Sequence, residues 1–153
     1  MILPAQILDR IRPITPWHPR TQQRGLTYGL GPAGYDVRIA QNVTMLRAIE
    51  WDFILASTIE HFSMPNNLLA QVCDKSTWAR RGLFVQNTII EPGWRGFLTL
   101  ELTYHGAERI EILEGDPIAQ IIFMELSEPT IYPYEGKYQD QGAGPQAHVT
   151  DFT

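Results

Sequence analysis

At 153 residues with 44% apolar side chains, the chain is long enough to bury one ordinary core and too short for two. A formal charge of -5 argues against a general nucleic-acid binder, which carries a basic face to neutralise phosphates, yet a few local basic residues suffice for one small anion. The single cysteine, Cys73, can neither close an internal disulfide nor assemble a thiolate zinc site, which suits a reducing cytoplasm.

In chain order, the opening MILPAQILDRIRPITPW has no long apolar run behind a basic start, so neither a signal peptide nor a membrane span is expected. The expectation is a soluble cytoplasmic protein, one domain over residues 1–153. Residues 4–12 place Ile7, Leu8 and Ile11 at helical spacing behind Pro4 and predict one short N-terminal helix. The following RPITPWHPRTQQRG holds three prolines with little periodicity and reads as an irregular arm crossing a surface or a neighbouring subunit. From Tyr35 onward, YDVRI, DFILAST, LLAQVC, LFVQNTII, FLTLELTY, RIEIL and IAQIIFMEL alternate with turn signals, which predicts an all-β fold. The polar, glycine-rich tail YEGKYQDQGAGPQAHVTDFT is expected to be mobile unless a ligand or partner orders it.

Two stretches carry candidate chemistry. In FLTLELTY, alternation puts Leu98, Leu100, Leu102 and Tyr104 on one face and Phe97, Thr99, Glu101 and Thr103 on the other. Glu101 is then either a glutamate on a solvated face or a carboxylate lining a cleft. In the second role, a raised pKa would let it take a proton from water and return it to a leaving amine. In DKSTWARRGL, a short helical turn would project Ser76 and Arg80 on the same side. That turn is either a solvated helix with Trp78 and Ala79 toward the core, or a cradle of Lys75, Ser76, Arg80 and terminal amides around a phosphate or oxyanion. No P-loop or dinucleotide fingerprint occurs, and His18, His61, His105 and His148 lack metal-ligand spacing. The zinc-deaminase signature needs two cysteines, and no G-x-S-x-G elbow is present.

Several motifs in order then resemble one family: GLGPAGYDVRI, LASTIEHFSMPNNLLAQVCDKSTWARRGL, IIEPGWRGFLTLEL, GDPIAQIIF and YEGKYQDQGAGP, most of the chain from Gly25 onward. The chain resembles the dCTP deaminases of the trimeric dUTPase superfamily. The resemblance implies a distorted jelly roll of β-clip type with a short N-terminal helix, and a homotrimer with sites at subunit interfaces. It implies a flexible tail, residues 134–153, closing over the nucleotide. The implied reaction is zinc-independent hydrolytic deamination of dCTP to dUTP and ammonia, with magnesium carried on the triphosphate and no protein metal ligands.

By this resemblance Glu101 is the catalytic acid-base, and Ser76 and Arg80 hold the attacking water and steady the reacting centre. Lys75, Thr77, Trp78 and Ala79 belong to the triphosphate-binding turn. Thr99 and Leu100 lie beside the base, Glu91 and Trp94 near the deoxyribose, and Gln120, Tyr134, Lys137 and Gln141 hold the nucleotide or its phosphates. The chain departs from the family in carrying Glu91 where Asp is usual, and in a shorter turn between Val85 and Glu91. The alternatives are a dUTPase or bifunctional enzyme, and, outside catalysis, a regulatory nucleotide-binding trimer.

Overall fold

The computed structural model describes residues 1–47 and 50–150. Helix α1 (Ala5–Ile11) forms where expected, with Pro4 in extended conformation at its N-cap. Leu8 is fully buried and Ile7 packs against the core, but Ile11 stays exposed. The helix stops there because Arg12 turns into the left-handed region and its N–H bonds the Leu8 carbonyl. The arm that follows is largely irregular, with two short strands, β1 (Ile14–Thr15) and β2 (Thr21–Gln23). It lies over its own chain, where the Trp17 ring meets Tyr35 at 4.6 Å between centroids.

The predicted runs become strands. Two further strands that those runs did not include, β3 (Leu26–Gly31) and β5 (Val43–Met45), flank β4 (Gly34–Arg38), and β6 (Asp52–Ser63) and β7 (Leu68–Asp74) follow. After the one-turn helix α2 (Ser76–Ala79) come β8 (Leu83–Val85), β9 (Ile89–Ile90), β10 (Arg95–Tyr104), β11 (Ile110–Ile112) and β12 (Pro117–Glu125). One sheet has the order β2-β3-β4-β12-β7-β9, a second β1-β6-β10-β8, and β11 pairs with β5. The run LFVQNTII, read as continuous, is divided: β8 joins β10 in one sheet and β9 joins β7 in the other. Its polar centre, residues 86–88, is the crossing between sheets.

The fold is β-rich, as the alternation of the sequence requires. Side chains from both sheets fill the space between, with Tyr35, Phe62, Phe123, Leu68, Leu100 and Leu102 essentially inaccessible. Each such large apolar side chain contributes roughly 1.5–3 kcal/mol by leaving water. Central strand β12 pairs antiparallel with β4 and β7, and its Pro117, lacking an N–H, sits at the strand's first residue. A buried ion pair links the sheets: Arg38 of β4 donates to the inaccessible carboxylate of Glu60 on β6 at 2.8 Å, and its backbone N–H donates to the second oxygen at 2.9 Å. Both oxygens are thus satisfied, the condition under which a buried charge is tolerated. The Tyr35 hydroxyl accepts from the His18 N–H at 3.0 Å, and burial above all pushes its pKa up to about 12, so it stays protonated. Among the described residues no helix is long and apolar enough to cross a membrane.

Candidate active site

Strand β10 carries Glu101 into the wall of a cavity of about 570 Å³. The pairing of β10 with β6 explains its surroundings. Glu101 lies opposite Leu55 and Thr103 opposite Phe53, so two apolar side chains of β6 share the face of the carboxylate. Leu55 and Phe53 line the cavity together with Leu98, Ile90 and Trp94. Burial in this apolar setting raises the Glu101 pKa above the ordinary carboxylate value. The carboxylate accepts no hydrogen bond from any described residue. A half-buried, unpartnered glutamate is the cleft form of the two readings that alternation allowed.

The crossing segment fixes the backbone around Glu101. Gln86 donates its N–H to the Glu101 carbonyl at 2.9 Å, and Asn87 accepts the Glu101 N–H on Oδ1 at 2.9 Å. The Asn87 Nδ2 in turn donates to the Thr99 carbonyl at 2.6 Å. One amide side chain thus continues the ladder that β8 has abandoned, holding residues 99–101 by both donor and acceptor. Glu91, Thr99 and Trp94 line the same cavity. Leu100, expected beside the base, is inaccessible on the core face opposite Ala56, so only its backbone faces that way.

The turn after β7 forms as its spacing suggests: α2 spans Ser76–Ala79, and the Arg80 N–H bonds the Ser76 carbonyl at 3.1 Å. Trp78 is buried and donates its indole N–H to the Pro117 carbonyl at 2.7 Å, so it anchors the turn. Lys75 and Ser76, with Gln120 of β12, line a second cavity of about 330 Å³, which shares no lining residue with the first. Within it, Lys75 donates to Asp36 at 2.6 Å, and Asp74 accepts the Val85 N–H at 2.7 Å. Thr77, Ala79, Arg80 and Lys137 line neither cavity, and Arg80 is exposed. The residues assigned to one site therefore fall in two places on a single chain. Neighbouring Cys73 is half-buried, its thiol pushed up by burial and then by the Asp74 charge, which leaves it a poor nucleophile.

The tail, predicted mobile from composition, lies across the first cavity through contacts of its own. Gln141 pairs with Gly96, and its side chain donates to the Phe97 carbonyl at 3.0 Å and the Thr99 hydroxyl at 2.6 Å. Gly96 has φ 148 and passes so close that a Cβ would meet the Gln141 nitrogen at 2.7 Å, so only glycine lets the tail seat there. The Trp94 indole donates to the Tyr138 carbonyl at 2.6 Å, while Gln139 bonds Gly93 and Tyr134. Tyr134 and Gln141 thereby line the cavity, joined by Gln146 and His148. Low apolar content concealed this docking because it rests on polar contacts with backbone, which composition does not register.

Sequence reasoning missed Phe53, Leu55, Asn87, Gln146 and His148. Register with Glu101 exposes the first two once β6 and β10 are known to pair. An Asn in a crossing turn is suggestive for the third. Nothing local marks the others. Among the described residues no group of three or more His, Cys, Asp or Glu side chains gathers as a metal-binding set.

The antiparallel β fold is shared with solved dUTPases. The EIAV dUTPase superposes with a TM-score of 0.56 at 23% identity, covering 77% of this chain and 92% of that one. The dUTPase of phage phi11 of S. aureus gives 0.56 at 16% identity, over 78% and 90%. The family described as dCTP deaminase-like matches residues 49–126. The dCTP deaminase of Roseiflexus castenholzii is 34% identical over 151 residues, 78% of this chain and 82% of that protein. That of Herminiimonas arsenicoxydans is 33% identical over 168 residues, 90% and 89%. The chain belongs to the dCTP deaminase-like family.

Proposed function

We infer that this protein hydrolyses the exocyclic C–N bond of dCTP, giving dUTP and ammonia. The observation that carries the reading is Glu101: an unpartnered carboxylate with a raised pKa, half-buried in a cavity with room for a nucleoside. A water molecule attacks C4 of cytosine while Glu101 takes its proton, and the tetrahedral centre collapses as Glu101 returns a proton to the departing amine. The raised pKa suits that cycle, since it strengthens the carboxylate as a base toward water while leaving its acid able to return the proton. The Asn87 clamp on Thr99 and Glu101 keeps the backbone at the reacting centre fixed.

Ser76 and Arg80 hold the water and the developing charge from a neighbouring subunit of a homotrimer. Two cavities with no common lining residue support this division, because each chain then gives one half to each of two sites. Lys75 and Gln120 take the phosphates, and the tail closes the cleft above the nucleotide. Magnesium enters with the substrate. Asp36 and Asp74 are already engaged by Lys75 and Val85, a donor set too sparse for a protein cage, so the ion is held by phosphate oxygens and water.

A second reading, hydrolysis of dUTP to dUMP and pyrophosphate, is favoured by Glu91 lining the same cavity. Incubation with dCTP and magnesium, followed by separation of dCTP, dUTP and dUMP and assay of ammonia, tests both. The expected products are dUTP and ammonia in equal amounts. Release of dUMP from supplied dUTP with no ammonia from dCTP would overturn the deaminase reading in favour of the second.

A further inference from the structure

The second cavity contains a cation that neither the reaction nor the motifs use. Its charged lining consists of Arg20, Asp36, Asp74 and Lys75. Lys75 is neutralised by Asp36 at 2.6 Å, and both side chains are largely buried. Asp74 is held by the Val85 N–H. Arg20 is exposed and makes no hydrogen bond or ion pair with any described residue. The lining therefore carries two positive and two negative groups and is balanced only while Arg20 is present. Without it the cavity would be net negative and would repel the ligand that Lys75, Ser76 and Gln120 are suited to bind.

The position of Arg20 is built into the fold. It lies on the arm between Pro19 and β2, and that arm is seated on β3 by the Leu30 N–H donating to the His18 carbonyl at 3.0 Å. Gly29 of β3 has φ 88, and a Cβ there would meet the Pro19 oxygen at 2.3 Å and the His18 oxygen at 2.8 Å. Only a glycine at 29 lets the arm approach this closely, and the approach brings Arg20 to the cavity rim.

Building on the deamination reading, we propose that Arg20 is a specificity-determining residue whose guanidinium binds the terminal phosphate of the nucleoside triphosphate. An unpaired guanidinium offers a planar fork of donors that matches two phosphate oxygens at once, which an ammonium does not. Its partner is the outermost phosphate because Arg20 is the exposed cation of the lining, while the largely buried Lys75, with Ser76 and Gln120, takes the inner part of the chain. Arg20 thus discriminates triphosphates from shorter nucleotides.

Isothermal titration of the intact protein with inorganic tripolyphosphate and with pyrophosphate, both with magnesium, tests this beside dCTP kinetics. Arg20→Gln should weaken tripolyphosphate binding by about 10-fold and pyrophosphate binding by less than about 3-fold, with Arg20→Lys in between. The KM for dCTP should rise with the tripolyphosphate Kd, while kcat changes far less. Equal losses for both probes, no loss for either, or wild-type protein that binds neither at millimolar concentration would overturn the proposal. If wild-type protein deaminates dCTP and Arg20→Gln binds tripolyphosphate normally, the role of Arg20 fails and the deaminase reading stands. If tripolyphosphate binding depends on Arg20 but dCTP is not deaminated, the reverse holds.

Discussion

The two cavities are opposites in construction. The first has Phe53, Leu55, Ile90, Leu98 and Trp94 in its wall around a half-buried carboxylate that no described residue pairs, so burial there disfavours the charged form. The second is polar, and its Lys75, Asp36 and Asp74 are already satisfied by one another or by backbone. Chemistry that moves protons is served by a carboxylate whose pKa is raised, and the apolar wall of the first cavity raises that of Glu101. Binding a multiply charged chain needs fixed donors that do not change state, which the polar cavity provides. One fold keeps these demands apart by placing Glu101 on β10 in one sheet and Lys75 after β7 in the other.

The comparison breaks first at Glu101. Glu101→Gln keeps the shape of the side chain and removes the base, so turnover should fall by at least about 100-fold, the usual share of general acid-base catalysis. The Kd for dCTP should move by no more than a few-fold. A variant that retains wild-type deamination would remove Glu101 from the chemistry.

Lys75→Ala should fail differently, raising KM for dCTP by about 10-fold with a smaller change in kcat, since a phosphate contact present in ground and transition states contributes uniform binding. Steady-state kinetics of the two variants side by side checks the division of labour. A purely kcat defect at Lys75 would show that the polar cavity takes part in the chemical step.

Deleting the tail after Tyr134 should weaken dCTP binding by about 10-fold and lower Tm by only a few degrees. The lost contacts are mostly half-exposed hydrogen bonds, each worth about 1 kcal/mol or less net. Calorimetry on the truncated protein measures both quantities. Collapse of Tm without nucleotide would make the tail part of the core.

The smallest effect sharpens the contrast. Because burial raises the Glu101 pKa in the folded state, folding favours the protonated form, and stability falls as pH rises through that raised value. Glu101→Gln, neutral throughout, should therefore have a higher Tm than the parent at pH 7 to 8. The gain should vanish below the ordinary glutamate value of 4.5, where both side chains are neutral. Thermal scans across pH follow it. An equal gain at acid and neutral pH would trace to packing instead of charge.

Legibility in the sequence followed the range of the interactions. Most strands, the α2 turn and the face of β10 around Glu101 depend on residues a few positions apart and were readable from periodicity. An irregularity between Phe97 and Thr99, however, brings Leu98, read on the opposite face, into the cavity with Glu101. Ile11 shared the helical spacing of Leu8 yet is exposed at the helix's last residue. LFVQNTII looked like one strand because its apolar ends are alike, although the polar centre changes sheets. Leu55 beside Glu101, Asn87 on Thr99 and Gln146 on the Thr99 hydroxyl are contacts between distant segments, fixed by register and docking. The motif resemblance reached Glu91, Trp94 and Tyr134, which line the first cavity, and Lys75 and Gln120, which line the second; the two cavities are separate on one chain.

That separation is the central claim, and intersubunit complementation tests it directly. Protein carrying Glu101→Gln and protein carrying Ser76→Ala with Arg80→Ala should each be nearly inactive. Co-expressed with different tags and purified as mixed assemblies, they should regain about a third of wild-type deamination, the fraction of interfaces in a mixed trimer at which both intact halves meet. Mixed assemblies as inactive as the parents would place Glu101, Ser76 and Arg80 in one site on one chain and contradict the account.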